Sequence, residues 1–179
     1  MPTIPQELVL TERLRQRVSE RLGREARGLR AVAVADSVDD PMVIRVASIV
    51  DGKPFPTLYW LIDPALKLRI DREEASGAIA RIQERVDASR ALRESMAADH
   101  RAHIELRDSF LDETERRLVE AHGFQSALAA RGIGGIADFT RVRCLHTWYA
   151  AHLVVANTIG RLLDERWCAS EASQVASSG

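Results

Sequence analysis

Residues 28–62 read GLRAVAVADSVDDPMVIRVASIVDGKPFPTLYWLI. Three runs rich in β-branched and aromatic residues, GLRAVAVADS, PMVIRVASIV and PFPTLYWLI, are parted by Asp39-Asp40-Pro41 and by Asp51-Gly52. Such runs favour strands, and Asp-Gly between two of them favours a hairpin, here lengthened by Lys53-Pro54. The segment predicts a three-stranded antiparallel meander. Pro54 and Pro56 lack a backbone donor, so the third strand should begin irregularly or lie at an edge. The apolar runs are nearly continuous, which predicts a sheet largely covered by helices.

Helical patterns flank this segment. Ahead of it, over 11–24, Leu14, Val18 and Leu22 recur at i, i+4 and i+8, with Thr11 to cap the start and Gly23 to end the helix. After it, Asp63-Pro64 restarts helical structure and Asp71 to Glu74 offers a second start; Ile70, Ala78, Ile82 and Val86 then keep the helical period. From 89 to 122 the chain is helical and highly charged. Leu92, Met96, Ile104, Leu106, Phe110 and Leu118 form a narrow apolar stripe there, which suits an antiparallel helical hairpin or a dimer. Gly123 and the glycines of 132–135 precede a last helix over about 138–168. The small, polar ASEASQVASSG of 169–179 predicts a disordered tail. The expected fold is α+β: one domain over 1–168, with a small three-stranded antiparallel sheet (28–62) packed by helices (64–168), and a long helical hairpin in the C-terminal half.

The 179 residues are 46% hydrophobic and 28% charged, with a net charge of −1, the balance of an ordinary globular domain. Near-neutrality weighs against a general nucleic-acid binder. Of the 25 basic residues only Lys53 and Lys67 are lysine. Abundant Arg beside abundant Ala most simply reflects a GC-rich genome, although the planar guanidinium also suits carboxylates and phosphates. Cys144 and Cys168 make no disulfide framework. On one intact helix they would stand roughly 36 Å apart, too far to pair. MPTIPQELVL lacks the pattern of a signal peptide, and no apolar run approaches the roughly 20 residues that span a bilayer. A cytoplasmic, non-membrane protein is expected.

Groups able to do chemistry concentrate in 132–160, GIGGIADFTRVRCLHTWYAAHLVVANTIG. On one continuous helix His146, Ala150, Asn157 and Arg161 fall within about 60° of Arg143, a polar column. A loop containing Gly134 and Gly135 that enters a helix offers backbone N–H groups to an anion, and Arg131, Arg141 and Arg143 flank it. The plainer reading is a tight connection whose arginines pair with surface acids, since neither G-x-x-x-x-G-K-[ST] nor G-x-G-x-x-G is present. His152 falls on the opposite, apolar face. A buried histidine bonded to a carbonyl or carboxylate is the ordinary case there, and a neutral base or metal ligand the alternative. Cys144 reads as a small hydrophobe or as a thiolate favoured by Arg141, Arg143 and the helix start. Two positions from His146 on a helix, it points away from that ring. His100 and His103, with Asp99 nearby, could bind a transition metal. No third ligand is evident, so neither metal nor cofactor is assigned. Phe55, Tyr59 and Trp60 make either a recognition turn or anchors between sheet and helices.

RLGREARG near the N-terminus, DGKPFPTLYWL followed by Asp63-Pro64, then GIGG, RCLHTWYAAHL and NTIG together resemble the bacterial family catalogued as domain of unknown function 501. The resemblance spans about 14–162. It marks Asp51, Gly52, Pro54, Phe55, Pro56, Thr57, Trp60, Gly134, Gly135, Cys144, His146, His152, Asn157 and Gly160 as family features, and it implies no activity. The family is found mainly in actinobacteria, often beside genes for a septum-formation initiator and an exopolyphosphatase-like protein, which points towards division or polyphosphate. Members often carry a cysteine after the first strand and another before the proline that follows the aromatic strand. Ser37 and Asp63 stand there in this chain, so a metal site built from those thiols with Cys144 and a histidine would lack two ligands.

The function expected is binding of a small anionic ligand, phosphorylated in one version. Gly134 and Gly135 would donate amides, Arg143 would hold the anion, and His146 would hydrogen-bond it or move a proton. Asn157 would stand beside them, and the hairpin tip with Asp51 and Thr57 would close the site. The competing expectation is a non-enzymatic interaction protein or homodimer linked to cell division or polyphosphate metabolism, in which Cys144 and His152 are core residues. A hydrolase or transferase using Cys144 or His146 is the weaker third reading, so catalysis is not expected.

Overall fold

The β-branched residues of 29–50 form β1 (Leu29–Ser37), β2 (Asp40–Val46) and the short β3 (Ile49–Val50), followed by β4 (Lys53–Pro54) and β5 (Tyr59–Leu61). The computed structural model describes residues 6–37 and 40–177. β1, β2 and β5 make a three-stranded antiparallel sheet with β2 at its centre. Across it Val43 pairs with Leu61, Ile44 with Trp60 and Arg45 with Tyr59. β3 and β4 form a separate small ribbon around Asp51-Gly52, which take φ of 51° and 71°. Two positive values in succession are the hairpin geometry that Asp-Gly favours. The third strand of the sheet therefore starts late, at Tyr59, and lies on an edge, beyond the two prolines.

Both faces of the sheet are covered, as the unbroken apolar runs predict. α1 (Glu12–Leu22) is capped by the Thr11 hydroxyl, which accepts from Leu14 N at 3.2 Å, and ends at left-handed Gly23. It lays Leu14 and Val18 on Val32, Ile44, Val46 and Ile62. The other face, with Ala33, Val43, Tyr59 and Leu61, belongs to a larger core shared with the helices that follow. These are α2 (Pro64–Ala75), α3 (Ala78–Ala88), α4 (Arg90–Ser109), α5 (Glu113–His122), α6 (Gln125–Ala129), α7 (Leu145–Val154) and α8 (Thr158–Ser177), with a 3-10 turn at Ile133–Gly135. α7 packs on β5 and forms the C-terminal hairpin with α8. Asp63 caps α2 by accepting from Leu66 N at 2.8 Å, and its other oxygen takes Arg21.

One predicted element is divided. The single helix expected over 138–168 is α7 and α8. Val155, extended at φ −137°, ends α7, and the His152 ring accepts from Asn157 N at 3.0 Å in place of a helical carbonyl. Asn157 Oδ1 then accepts from Gly160 N at 2.8 Å, as a cap for α8. α8 also continues through 169–177 of the stretch expected to be a disordered tail. Among the described residues no helix is long and apolar enough to cross a membrane.

Candidate functional site

The break between α7 and α8 takes the predicted anion cradle apart. Arg143 is exposed and precedes α7, whereas Asn157 is buried beyond its end. The Asn157 amide is used at both ends: Nδ2 donates to Trp148 O at 2.9 Å, and Oδ1 takes Gly160 N. Several of the loop amides are used too. Gly132 N donates to Ile136 O, Gly135 N to Gly132 O, and Ile133 N to His100 Nδ1 at 3.0 Å. The glycines instead make room, because a β-carbon at 132 would meet the His100 ring and one at 160 the His152 ring. Asp51 is exposed at the β3–β4 turn, paired with Arg27 at 3.2 Å. Pro56 and Thr57 do pack beside Gly135.

His152 closes the α7–α8 turn. Its Nδ1 accepts from Asn157 N, so the ring proton sits on Nε2, 2.9 Å from Asp164 Oδ2. The second Asp164 oxygen accepts from Tyr149 Oη at 2.8 Å. Both ring nitrogens thus have structural work, the ordinary case for a histidine on an apolar face.

His146 turns towards α2. Cys144 is the extended residue before α7 (φ −126°, ψ 114°), so the wheel that points it away from His146 does not hold. Cys144 Sγ lies 3.9 Å from His146 Nδ1. Asp71 Oδ1 is 3.1 Å from His146 Nε2, and Glu74 Oε1 is 3.5 Å from Nδ1 while it accepts from Leu145 N at 2.7 Å. Burial pushes the Cys144 thiol up, but the His146 hydrogen bond and the Thr147 amide outweigh it, leaving the thiol below its ordinary range. The contact with Cys144 raises His146 against the effect of burial, and the charges of Cys144, Glu74 and Asp71 add to it. Glu74, Cys144 and His146 each offer a donor atom within 4.8 Å of the others. The sequence assigns no metal, yet this set could hold one.

The other end of α7 borders a cavity of about 360 Å³. Its wall is mainly apolar and includes Tyr59 of β5, Ala102, His103 and Leu106 of α4, Ala151 of α7, and Val155. Tyr59 Oη and His103 Nε2 are buried without a hydrogen-bond partner, and the two rings meet edge to face at 6.0 Å. Burial pushes the Tyr59 hydroxyl up. It pushes His103 down to about 3, with the Arg107 and His100 charges adding to the effect. Both side chains are therefore uncharged at neutral pH. Asp99 and Glu105 also line the cavity, and among the described residues no lysine or arginine does. Arg107 lies close by but is spent on carbonyls: it donates to Pro56 O at 3.1 Å, Arg131 O at 2.7 Å and Leu128 O at 2.6 Å.

A family model described as a protein of unknown function (DUF501) matches residues 32–165. The chain belongs to that family. No curated protein and no solved structure matches it. The DUF501 match contains both α7-centred arrangements in full, and α1 lies ahead of it. Within the DUF501 stretch the sequence marks His103 as a candidate metal ligand, Tyr59 as a recognition or anchoring aromatic and Asp71 to Glu74 only as a helix start, and no motif marks Arg107. Asp71 and Glu74 read as ordinary charges on a helix. His103 and Arg107 do share a helical face with Met96 and His100, and that spacing was the available signal.

Proposed function

We propose that the protein binds a small, largely apolar and uncharged molecule, bearing a hydrogen-bonding group, in the cavity between α4, β5 and the α7–α8 turn. The observation that carries this reading is the pair of unpartnered atoms, Tyr59 Oη and His103 Nε2, in side chains of a mainly apolar wall. A buried polar group left unpaired costs about 1–3 kcal/mol, which a hydroxyl or carbonyl of a ligand would recover once the Tyr59 or His103 side chain turns its polar atom towards the cavity. An apolar hollow with a few placed polar groups is the usual form of a small-molecule site. The wall has two carboxylates and no cation, which favours an uncharged ligand over the anion expected from sequence.

Ala102 lines the cavity and is exposed, so Ala102→Trp narrows the opening without straining the core. A thermal-shift screen of small neutral alcohols, ketones and amides, followed by calorimetry, tests the site. Hits should bind about tenfold or more weakly to Ala102→Trp, about 1.4 kcal/mol. Tyr59→Phe should weaken them by about 1 kcal/mol, one hydrogen bond. No hit at all, or hits indifferent to Ala102→Trp, would reject the proposal.

A further inference from the structure

At the start of α7 three side chains of different chemistry converge, and hydrogen bonding alone accounts poorly for their spacing. His146 Nδ1 is 3.5 Å from Glu74 Oε1 and 3.9 Å from Cys144 Sγ, and the first of these is beyond the usual N–H···O range. The other ring nitrogen makes the good contact, 3.1 Å to Asp71 Oδ1. A ring that gives its Nε2 proton to Asp71 presents a bare lone pair at Nδ1. That lone pair then faces a carboxylate oxygen and a sulfur, where the long contact with the Cys144 thiol satisfies it weakly and a cation among the three donor atoms would satisfy them all. A carboxylate on the far nitrogen is also the usual support of a metal-bound histidine.

We infer that Glu74 Oε1, Cys144 Sγ and His146 Nδ1 form a site for a divalent transition metal, zinc being the ion best suited, with Asp71 orienting the imidazole. Zinc bonds of about 2.0–2.1 Å to nitrogen and oxygen and about 2.3 Å to sulfur, at tetrahedral angles, place nitrogen and oxygen about 3.4 Å apart and nitrogen and sulfur about 3.6 Å apart. The corresponding distances here are 3.5 and 3.9 Å. A thiolate, an imidazole and a carboxylate suit zinc and disfavour magnesium or calcium, which prefer all-oxygen sites. The thiolate and the carboxylate together balance a dication. Glu74 is held in place by the Leu145 amide at 2.7 Å. The Glu74 and His146 side chains are 27% and 22% exposed, which leaves an entry path and a fourth position open to water. The site lies at the opposite end of α7 from the proposed ligand cavity, so either can fail without the other.

The test is cobalt substitution. The full chain, stripped with a chelator and dialysed against Co²⁺, should take up one ion per chain and show sulfur-to-cobalt charge-transfer absorption. Cys144→Ser, whose hydroxyl suits the position before a helix, should lose that absorption, and Cys168→Ser should keep it. Asp71→Asn should weaken binding by about 10–100-fold. Glu74→Gln, which still accepts from the Leu145 amide, should weaken it as well. Circular dichroism checks that each variant is folded. Absence of the absorption in the folded wild type, its survival in folded Cys144→Ser, or its loss in folded Cys168→Ser would overturn the site.

Discussion

Gly160 and the His152 ring compete for one space. A β-carbon at 160 would overlap an imidazole tied at both nitrogens, by Asn157 N and by Asp164. Gly160→Ala should therefore cost about 2–3 kcal/mol, read as a lower urea midpoint at unchanged slope; a cost under about 0.5 kcal/mol would mean the ring has room to retreat. Gly132 and His100 stand in the same relation. That Gly132 matters is legible in the sequence, because it clusters with Gly134 and Gly135 ahead of a helix, whereas Gly160 falls inside the single helix expected there. Their task is not legible, because the ring that fills each gap comes from a contact the chain order hides. Cys144 teaches the same lesson in one dihedral pair. Placed inside the helix expected from about 138 it would face away from His146; placed one residue before α7, it faces His146.

α4 shows how a charge-rich helix can conceal its inner face. Its buried positions are Met96, His100, His103 and Arg107, a helical spacing written mostly in polar residues. The apolar stripe expected from sequence supplies Met96 to the core, while Leu92, Leu106 and Phe110 are only partly buried against it. The element was legible and its polar burial was not, since hydrophobic periodicity gives a histidine no weight. His100 is stacked on Phe139 at 4.6 Å and meets Trp148 at 4.7 Å. Burial drives it down to about 4 against the pull of Asp138, and drives His103 to about 3. Both values lie below the ordinary 6.5, so between about pH 6.5 and 4 the unfolded chain takes up protons that the folded chain refuses. The contribution of these two rings should be full above neutral pH and fall with acid by about 1.4 kcal/mol per pH unit for each. Urea denaturation at pH 7, 6 and 5 measures this, and His103→Phe should make the dependence about half as steep. A flat profile would show that neither ring resists protonation in the fold.

For the molecule as a whole, the α+β class followed from one stretch: unbroken apolar runs with an Asp-Gly turn can only be satisfied by a sheet covered on both sides, and α1 with the later helices supplies the cover. The cavity was out of reach, because it exists only where α4, β5 and the α7–α8 turn meet. The dimer anticipated from a narrow apolar stripe would draw on the partly buried Leu92, Leu106 and Phe110 of that stripe. Among the described residues Val9 and Leu68 are the large hydrophobic side chains left exposed, and a stable interface needs about 1,200–2,000 Å². Light scattering at micromolar concentration should give the mass of one chain, and a doubled mass would favour the interaction reading. Arg107 carries a last consequence, one of time. Its three carbonyl partners, Pro56, Arg131 and Leu128, lie 51, 24 and 21 positions away along the chain, so the guanidinium bonds all three only when three distant segments are in place together. Interactions absent from the folding transition state act on the unfolding rate. Arg107→Met should therefore speed unfolding more than it slows refolding, and equal changes in both rates would place these bonds before the barrier.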